Sequence, residues 1–362
     1  MTRTMEAFSE AVETQLNKFN SWCAARERDI ILSLAGSRPP LYVSLLNLER
    51  TIRDSFSHTF DALLEILRKV MGRATRSQDN NLEVWMLLDL PMRFSPFTIS
   101  TFLLDTLLTA ADSSSSNGET KTSKALMQVF TASAEPIWSM VGLWLKHGMP
   151  TRDLGSRQGA DGLTSMDDEF FIQATGLPIL DPDFWTEGFT IRDVDTEAHS
   201  SESVPLLLSV VGNHVLRAGK AVGLLRILDL PLTDDAEDKD KPTWMVDWPT
   251  FAALLQEHNT GALVKTSREQ LSRHVHDSIL PYCQTPQKRL AQMIANECDL
   301  WLHLTAIEEL YFMWRGDTMA HFSEIIFTKV SRGSSESQLS SHDVDADVFR
   351  WIQCKHGVTS TS

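Results

Sequence analysis

The chain has 362 residues, of which 42% are hydrophobic and 22% are charged, and its formal net charge is −15. This is globular composition, and the acidity argues against binding to nucleic-acid phosphates, because no lysine- or arginine-rich stripe offsets it. The four cysteines are far apart and form no CxxC pair, which favours a reducing, intracellular setting. No segment approaches the ~20 apolar residues of a membrane helix, and the amphipathic N-terminal segment does not predict a secretory signal.

Apolar residues at three- and four-residue steps predict helices throughout the first part of the chain. One such helix contains Phe8 and Phe19, and a longer one lies within residues 41–70, after the Pro39-Pro40 pair. A further helix is predicted to begin at Ser95-Pro96, where proline suits the first turn. We expect it to end in the serine-rich stretch 111–123, which predicts a flexible surface loop.

The middle and C-terminal parts are also predicted to be mainly helical. An aromatic helix is expected to end at His147-Gly148, since glycine suits the position after a helix end. Short extended segments are predicted near residues 170–172 and within 181–192. Four more helices are predicted, at 204–228, 248–257, 266–280 and 286–314. No fixed-period repeat is present, so the predicted fold is all-α, an irregular array of antiparallel helical bundles with minor extended segments.

One acidic run suggests an enzyme. Asp234, Asp235 and Asp238 have DDxxD spacing, which in a helical protein of this size suggests Mg²⁺ held against a diphosphate, as in terpenoid synthases. However, Pro231 and Pro242 bracket the run, and no second acidic motif follows. The run is therefore interpreted as a solvated loop, and a helical metal-dependent enzyme is kept as the alternative function.

Other chemical motifs are incomplete. Gly219-Lys220 resembles part of a phosphate-binding loop, but His214 and Ala221 stand where that loop requires glycine and Ser/Thr. His274 and His276 are two residues apart, which places them on different faces of a helix. There is no GxSxG motif, although the sequence leaves open a catalytic triad assembled in the fold from residues that are distant in the chain. We predict no catalytic residue, no cofactor site and no metal site.

Four segments, in this order, resemble the gamma-tubulin complex component family. The first, at 135–148, ends an apolar helix in a polar residue and glycine. The second combines a Glu-Phe-Phe-Ile sequence with Phe-Trp and ends at Arg192. The third, at 204–226, is similar to the family's Ala-Gly-Lys…Leu-Leu-Arg signature. The fourth lies at 304–322. The residues that carry the resemblance are Trp138, Trp144, Gly148, Phe170, Phe171, Phe184, Trp185, Gly219, Lys220, Leu224, Leu225, Arg226, Tyr311, Phe312, Gly316 and Asp317.

The resemblance implies a non-enzymatic scaffold. Family members pack laterally into a ring through their N-terminal helical halves, and their C-terminal halves hold gamma-tubulin, so that the ring templates microtubule nucleation. The implied partners are other gamma-tubulin complex components, and the implied location is the cytoplasm, cytoskeleton and microtubule-organising centre or spindle pole body. Variants near Phe171 and Phe184 favour the fifth component or its fungal counterpart.

The resemblance also implies a division of the chain. Residues 1–300 are expected to form the N-terminal scaffold domain, and residues 301–330 the start of the gamma-tubulin-binding domain. Residues 331–362 are expected to be a disordered or unrelated tail. Most of the gamma-tubulin-binding half is therefore expected to be missing, and binding of gamma-tubulin is expected to be weak or absent.

Overall fold

The computed structural model describes residues 2–35, 44–75, 95–149, 168–178, 181, 183–192, 204–228, 248–258, 268–296, 299–311 and 316–333. Its helices are α1 (Arg3–Leu34), α2 (Leu45–Ile52), α3 (His58–Thr75), α4 (Pro96–Ser116), α5 (Thr120–His147), α6 (Phe184–Glu187), α7 (Gly212–Ile227), α8 (Phe251–His258), α9 (Arg268–Asn296), α10 (Leu300–Tyr311) and α11 (Gly316–Gly333). A π-helical turn, Arg53–Ser57, joins α2 to α3. The predicted all-α fold is confirmed.

Two short strands, β1 (Ile172–Ala174) and β2 (Phe189–Ile191), interrupt the helices. They pair antiparallel, with Ile172 opposite Ile191 and Ala174 opposite Phe189. Helix α6 lies between them in the sequence. The predicted minor extended segments are therefore present, as a small hairpin that contains a short helix.

The chain divides into two compact units, Met1–Lys288 and Arg289–Ser362. Helix α5 is central in the first unit and packs against α1, α4, α7 and α8. Thirteen of its residues are buried, including Leu126, Phe130, Trp138 and Trp144. Because these residues face several directions around the helix, α5 connects the other elements into one core. The second unit contains α10 and α11, and the exposed large apolar side chains described there include Trp301, Leu304, Ile307 and Phe327.

The serine-rich stretch 111–123 is helical over most of its length, so the prediction of a loop was wrong there. Helix α4 continues to Ser116 and α5 begins at Thr120. The Ser113 and Ser116 hydroxyls donate to the carbonyls of Ala110 and Asp112 in the preceding turn. These bonds satisfy the hydroxyls without breaking the helix. The turn itself is short and contains Gly118, at a φ of +83°.

The predicted break between helices at residues 280–286 is also wrong, because α9 runs through both Pro281 and Pro286. A proline inside a helix costs about 3 kcal/mol. Here a continuous buried face offsets that cost. Its four members recur at four-residue steps and are each at most 1% exposed, namely Leu271, Val275, Ile279 and Cys283. The predicted helix over 286–314 is instead divided between α9 and α10, with Asp299 at a φ of +49° just before α10.

The helix predicted from residue 204 begins eight residues later, at Gly212. The segment before it forms successive turns, because the Leu206 N–H donates to Asp105 Oδ1 of α4 at 2.9 Å and the Leu208 N–H donates to the Pro205 carbonyl at 2.8 Å. These bonds fold the chain onto α4 before α7 starts. Helix α8 likewise begins at Phe251, three residues after the predicted start at Trp248.

No helix within the described part of the chain is long and apolar enough to cross a membrane. The acidic run 234–238 and Phe312 lie outside the described residues, as does the predicted tail 331–362 apart from residues 331–333, which belong to α11.

Candidate functional site

Three of the four segments that resemble the family meet at the C-terminal end of α5. The end of α5 packs against α7, and the β1–β2 hairpin packs against both. The contact between α5 and α7 is made by Gly148, Gly219 and Gly223, which we call the glycine seam.

Trp144 forms the core of this region. It is fully buried, and its indole N–H donates to the Val215 carbonyl of α7 at 2.9 Å. The ring lies directly over Gly219, so that a Cβ at residue 219 would overlap the indole. Since glycine weakens a helix interior by about 1 kcal/mol relative to alanine, this close approach explains why glycine stands there.

The other two glycines bring the backbones of the two helices together. Gly148 ends α5 at a φ of +70°, a conformation that favours glycine. A Cβ on Gly148 would overlap the backbone of Gly223, and a Cβ on Gly223 would overlap the Met149 side chain. The Met149 N–H donates to the Gly219 carbonyl at 3.2 Å. The end of α5 is thus fixed on α7 by shape and by a backbone hydrogen bond.

Two cationic side chains of α7 bind the C-terminal carbonyls of other helices. Arg226 donates to the His147 carbonyl at the end of α5. Lys220 donates from Nζ to the carbonyls of Thr186 and Trp185, at 2.8 and 3.2 Å. Cations at helix C-termini satisfy unpaired carbonyls and complement the helix dipole. Lys220 therefore holds the hairpin on α7, and the resemblance of Gly219-Lys220 to a phosphate-binding loop is explained by packing.

Burial changes the acid–base properties of this cluster. Partial burial lowers the pKa of the Lys220 ammonium. The pKa of His147 is also lowered, first by burial and then by the nearby charges of Lys146 and Arg226. Both shifts follow from the cost of holding a positive charge away from water or beside other positive charges.

Aromatic rings connect the hairpin to Trp144. The ring of Trp144 lies 5.6 Å from that of Phe189 and 6.1 Å from that of Phe170, between centroids. Phe170 and Phe171 are each 1% exposed, and their rings are 4.6 Å apart. Such contacts bury large apolar areas and favour tilted geometries like these.

Phe184 and Trp185 lie in the short helix α6 of the hairpin. The Phe184 ring lies 6.0 Å from Phe189, whereas Trp185 is half-buried beside Phe184. Arg192 closes the hairpin, because its backbone N–H donates to Phe171 and its side-chain Nε donates to Phe170, each at 2.8 Å.

Glu169, the first residue of the Glu-Phe-Phe-Ile sequence, joins the hairpin to α1. It is 3% exposed, and its Oε2 accepts hydrogen bonds from the backbone N–H and the hydroxyl of Thr4, at 3.2 and 3.0 Å. The first turn of a helix has unpaired N–H groups and favours a negative charge, so this carboxylate serves as a distant cap for α1. The partners are 165 residues apart in sequence, so spacing alone gives no signal for them.

A second contact, which we call the tryptophan lock, joins α5 to the residues before α8. The indole N–H of Trp138 donates to the Pro249 carbonyl at 2.7 Å, and that of Trp248 donates to the Trp138 carbonyl at 3.1 Å. Their rings lie 4.7 Å apart. Trp248 lies against Gly142, where a Cβ would be 2.6 Å from the ring.

Glu135 of α5 adds a polar contact to the tryptophan lock. Its Oε2 accepts the Phe251 N–H, at the first residue of α8, at 2.8 Å. Burial raises the pKa of Glu135, and the backbone hydrogen bonds from Phe251 and Ala252 oppose that change. Glu135 thereby caps α8 while Trp138 holds the preceding residues.

The remaining signature residues lie apart from the glycine seam or serve the core. Leu225 is fully buried in α7, and Leu224 is half-buried. Tyr311, at the end of α10, and Gly316 and Asp317, at the start of α11, belong to the second unit, and Gly316 is exposed. Any role of the signature residues in an interface stays a prediction.

His274 and His276 have separate hydrogen-bond partners. His274 Nε2 lies 3.1 Å from the Leu254 carbonyl, whereas His276 Nδ1 lies 3.1 Å from Asp277 Oδ1. Among the residues that the structure describes, no group of three or more His, Cys, Asp or Glu side chains is arranged to hold a metal ion. The arrangement of the described site residues is therefore one of close packing and helix capping.

Comparison with known families agrees with this arrangement. The model of a family described as "Gamma tubulin complex component N-terminal" matches residues 1–297, which contain the glycine seam, the hairpin and the tryptophan lock. No curated protein matches the chain.

Proposed function

This chain belongs to the gamma-tubulin complex component family, and we propose that it is a scaffold subunit that contributes to microtubule nucleation through lateral contacts with other complex components. The observation that carries this proposal is the family match over residues 1–297, which include α1 to α9 and the whole of the first unit. The family's description is that of a component of a complex, so its members act through assembly.

The packing of the first unit supports a scaffold role. A subunit that positions neighbours in a ring must keep its own helices in a fixed geometry. Side chains with a well-defined position, such as Trp144 over Gly219, permit few alternative arrangements, since interiors are packed as densely as organic crystals. The glycine seam and the tryptophan lock both involve α5, so α5 fixes the positions of α7 and α8 relative to itself.

The finer parts of the proposal follow from the resemblance. Residues 1–300 supply the lateral contacts, and residues 301–330 belong to the region that contacts gamma-tubulin. The protein is expected in the cytoplasm, at the microtubule-organising centre or spindle pole body. Which component of the family this chain represents stays a prediction, with the fifth component or its fungal counterpart favoured. No described residue favours the metal-dependent enzyme considered from the acidic run.

Affinity purification from the source cell tests the function directly. The tagged chain is expected to recover other gamma-tubulin complex components, with gamma-tubulin present through them. A matched variant, Gly219→Leu, disrupts the seam and is expected to recover less of each component at equal expression. Recovery of no complex component by the unmodified chain would contradict the proposed function.

A further inference from the structure

Helices α5 and α7 run in the same direction and end close together. Trp144 of α5 donates to the Val215 carbonyl of α7. Further along both helices, Gly148 approaches the backbone of Gly223. Helix α5 ends just before Gly148, whereas α7 continues for one more turn, to Ile227. The last turns of two parallel helices therefore lie side by side at this end of the glycine seam.

Three basic residues gather at these helix ends. Arg226 of α7 donates to the carbonyl of His147 at the end of α5. Burial lowers the pKa of His147 most, and the charges of Lys146 and Arg226 lower it further, so both charges lie close to the imidazole. The side chains of Lys146 and Arg226 are exposed, so a partner can reach them.

The positive charge of this group is not paired with a described acid. None of the ion pairs in the described part of the chain includes Lys146, His147 or Arg226. The carbonyl that Arg226 binds carries no net charge, and the C-terminal ends of the two helices together offset about one positive charge. An excess of positive charge therefore remains here, in a chain whose formal net charge is −15.

Large apolar side chains accompany these cations. Leu143 is 42% exposed and lies three residues before Lys146, on the same face of α5. Ile227 and Leu228 are 41% and 45% exposed and directly follow Arg226. Exposed apolar side chains beside unpaired cations are typical of a contact surface. We call this surface the basic end patch, and its members are Leu143, Lys146, His147, Arg226, Ile227 and Leu228.

The combination of charge and apolar surface indicates what the patch binds. Salt at physiological concentration limits electrostatic attraction to about 8 Å, so the cations of the patch act on a ligand there more strongly than the distant acids of the chain. A bare phosphate would pair with the cations but leave Ile227 and Leu228 exposed. An acidic peptide supplies carboxylates, which pair with lysine and arginine, together with apolar side chains.

We propose that the basic end patch binds an acidic segment of a partner protein that also carries large apolar side chains. The carboxylates of that segment pair with Lys146 and Arg226, and its apolar side chains cover Leu143, Ile227 and Leu228. The patch is far smaller than the roughly 20–30 residues per side of a standard interface, so binding is expected to be weak and reversible. This site is additional to the lateral contacts of the proposed function and does not depend on them.

Fluorescence anisotropy of the full 362-residue chain with a labelled peptide, Glu-Glu-Leu-Leu-Glu-Glu-Leu-Leu, tests the proposal. Saturable binding that weakens as NaCl is added is expected. Lys146→Glu is expected to weaken binding about threefold to tenfold, because the change removes an attraction and adds a repulsion. Lys146→Arg keeps the charge and is expected to bind like the unmodified chain. An unaltered thermal unfolding profile checks that each variant is folded.

Lys124→Glu is the matched control, because Lys124 is an exposed lysine near the opposite end of the same helix. It is expected to leave peptide binding unchanged. No binding by the unmodified chain, or an equal loss in Lys124→Glu and Lys146→Glu, overturns the proposal. A peptide with serine in place of leucine is expected to bind more weakly, and equal binding of the two peptides would also contradict the proposed apolar contact.

The acidic run at residues 234–238 provides a further test, because it follows α7 in the sequence and has similar charge. The unmodified chain is expected to bind the leucine peptide without any change to this run. If the peptide binds only after Asp234, Asp235 and Asp238 are replaced by Asn, the patch is occupied by the chain's own acidic run and the proposal of a partner is wrong. The purified chain and peptide suffice for these measurements, so their outcome leaves the proposed scaffold function to its own test.

Discussion

At the scale of the residue, Gly219 shows how a single missing side chain positions a helix pair. A mid-helix glycine in a helical segment already predicts a close neighbour from sequence, and the structure identifies that neighbour as the Trp144 indole. The sequence could not identify Gly223 and Gly148 as its companions, because their partnership depends on how α5 crosses α7.

Substitution of Gly219 should therefore be costly. Gly219→Leu is expected to destabilise the chain by about 1–3 kcal/mol or more, because the added side chain must displace a fully buried ring. Chemical denaturation of the full chain measures the change. Gly316→Ala is a suitable control, since a Cβ there meets nothing within 4 Å. A Gly219 variant as stable as the unmodified chain would show that the indole can move without cost.

Glu169 offers a second test at this scale. Glu169→Ala leaves the Thr4 N–H and hydroxyl without their carboxylate partner at a buried helix end. Hydrogen bonds to a charged group contribute about 1.5–3 kcal/mol, and a loss of that order in the free energy of unfolding is expected. Glu169→Gln keeps an acceptor oxygen and is expected to lose less. Equal losses in the two variants would mean that Thr4 does not depend on the acceptor.

His147 gives a pH dependence with a defined sign. Its folded pKa is lowered below the ordinary value of 6.5. As the pH falls below 6.5, the unfolded chain binds a proton at this residue before the folded chain does, so stability falls with pH in the window between 6.5 and the lowered folded value. His147→Gln is expected to reduce this slope, as measured by denaturation at a series of pH values. An unchanged slope would assign the acid sensitivity to other groups.

At the scale of the element, the failures of sequence reasoning have physical causes. The serine-rich end of α4 was predicted as a loop from residue preference alone, but its hydroxyls bond to the preceding turn. The prolines of α9 were predicted to break it, but the buried stripe from Leu271 to Cys283 outweighs them. In both cases tertiary packing or local hydrogen bonding overrides the low helix propensity of the residues. Neither effect can be read from a few adjacent residues of the sequence.

The elements that were predicted correctly have strong local signals. Ser95 caps α4 with Pro96 in the first turn, and the Ser95 hydroxyl accepts the Thr98 N–H. Gly148 ends α5 with a positive φ, as its position after His147 predicts. Caps and stops are encoded in a few adjacent residues, whereas the contact of Glu169 with Thr4 and the tryptophan lock join distant segments.

The tryptophan lock between α5 and the residues before α8 can be tested with a double-mutant cycle. Gly142→Ala is expected to destabilise the chain, because the new methyl group would lie 2.6 Å from the Trp248 ring. In a Trp248→Ala background that methyl group has room, so the same change should cost less. Contacting residues typically couple by about 0.5–3 kcal/mol in such cycles, and a coupling energy of that order is expected here. Additive effects would show that the glycine is not required by the tryptophan.

At the scale of the whole molecule, the fold and the family are predicted from sequence better than the surface is. Helical periodicity predicts the all-α fold, and the three signature segments that lie within residues 1–297 predict the family, because both depend on the buried pattern. The exposed apolar side chains near the end of α1, such as Leu34, were not predicted, since exposed leucines at helix ends resemble core leucines in sequence.

The last prediction concerns which partner the chain binds directly. The family match ends at residue 297, and the resemblance places gamma-tubulin contacts from about residue 304 onward. In the described part of that region, α10 and α11 are two short helices, whereas stable interfaces bury about 1,200–2,000 Å² in total. We therefore expect the 362-residue chain to bind a purified partner component of the same family, and to bind purified gamma-tubulin poorly. Pairwise pull-downs measure both contacts, with Gly219→Leu expected to weaken the first. Tight binding of gamma-tubulin by this chain alone would instead assign that contact to the described helices.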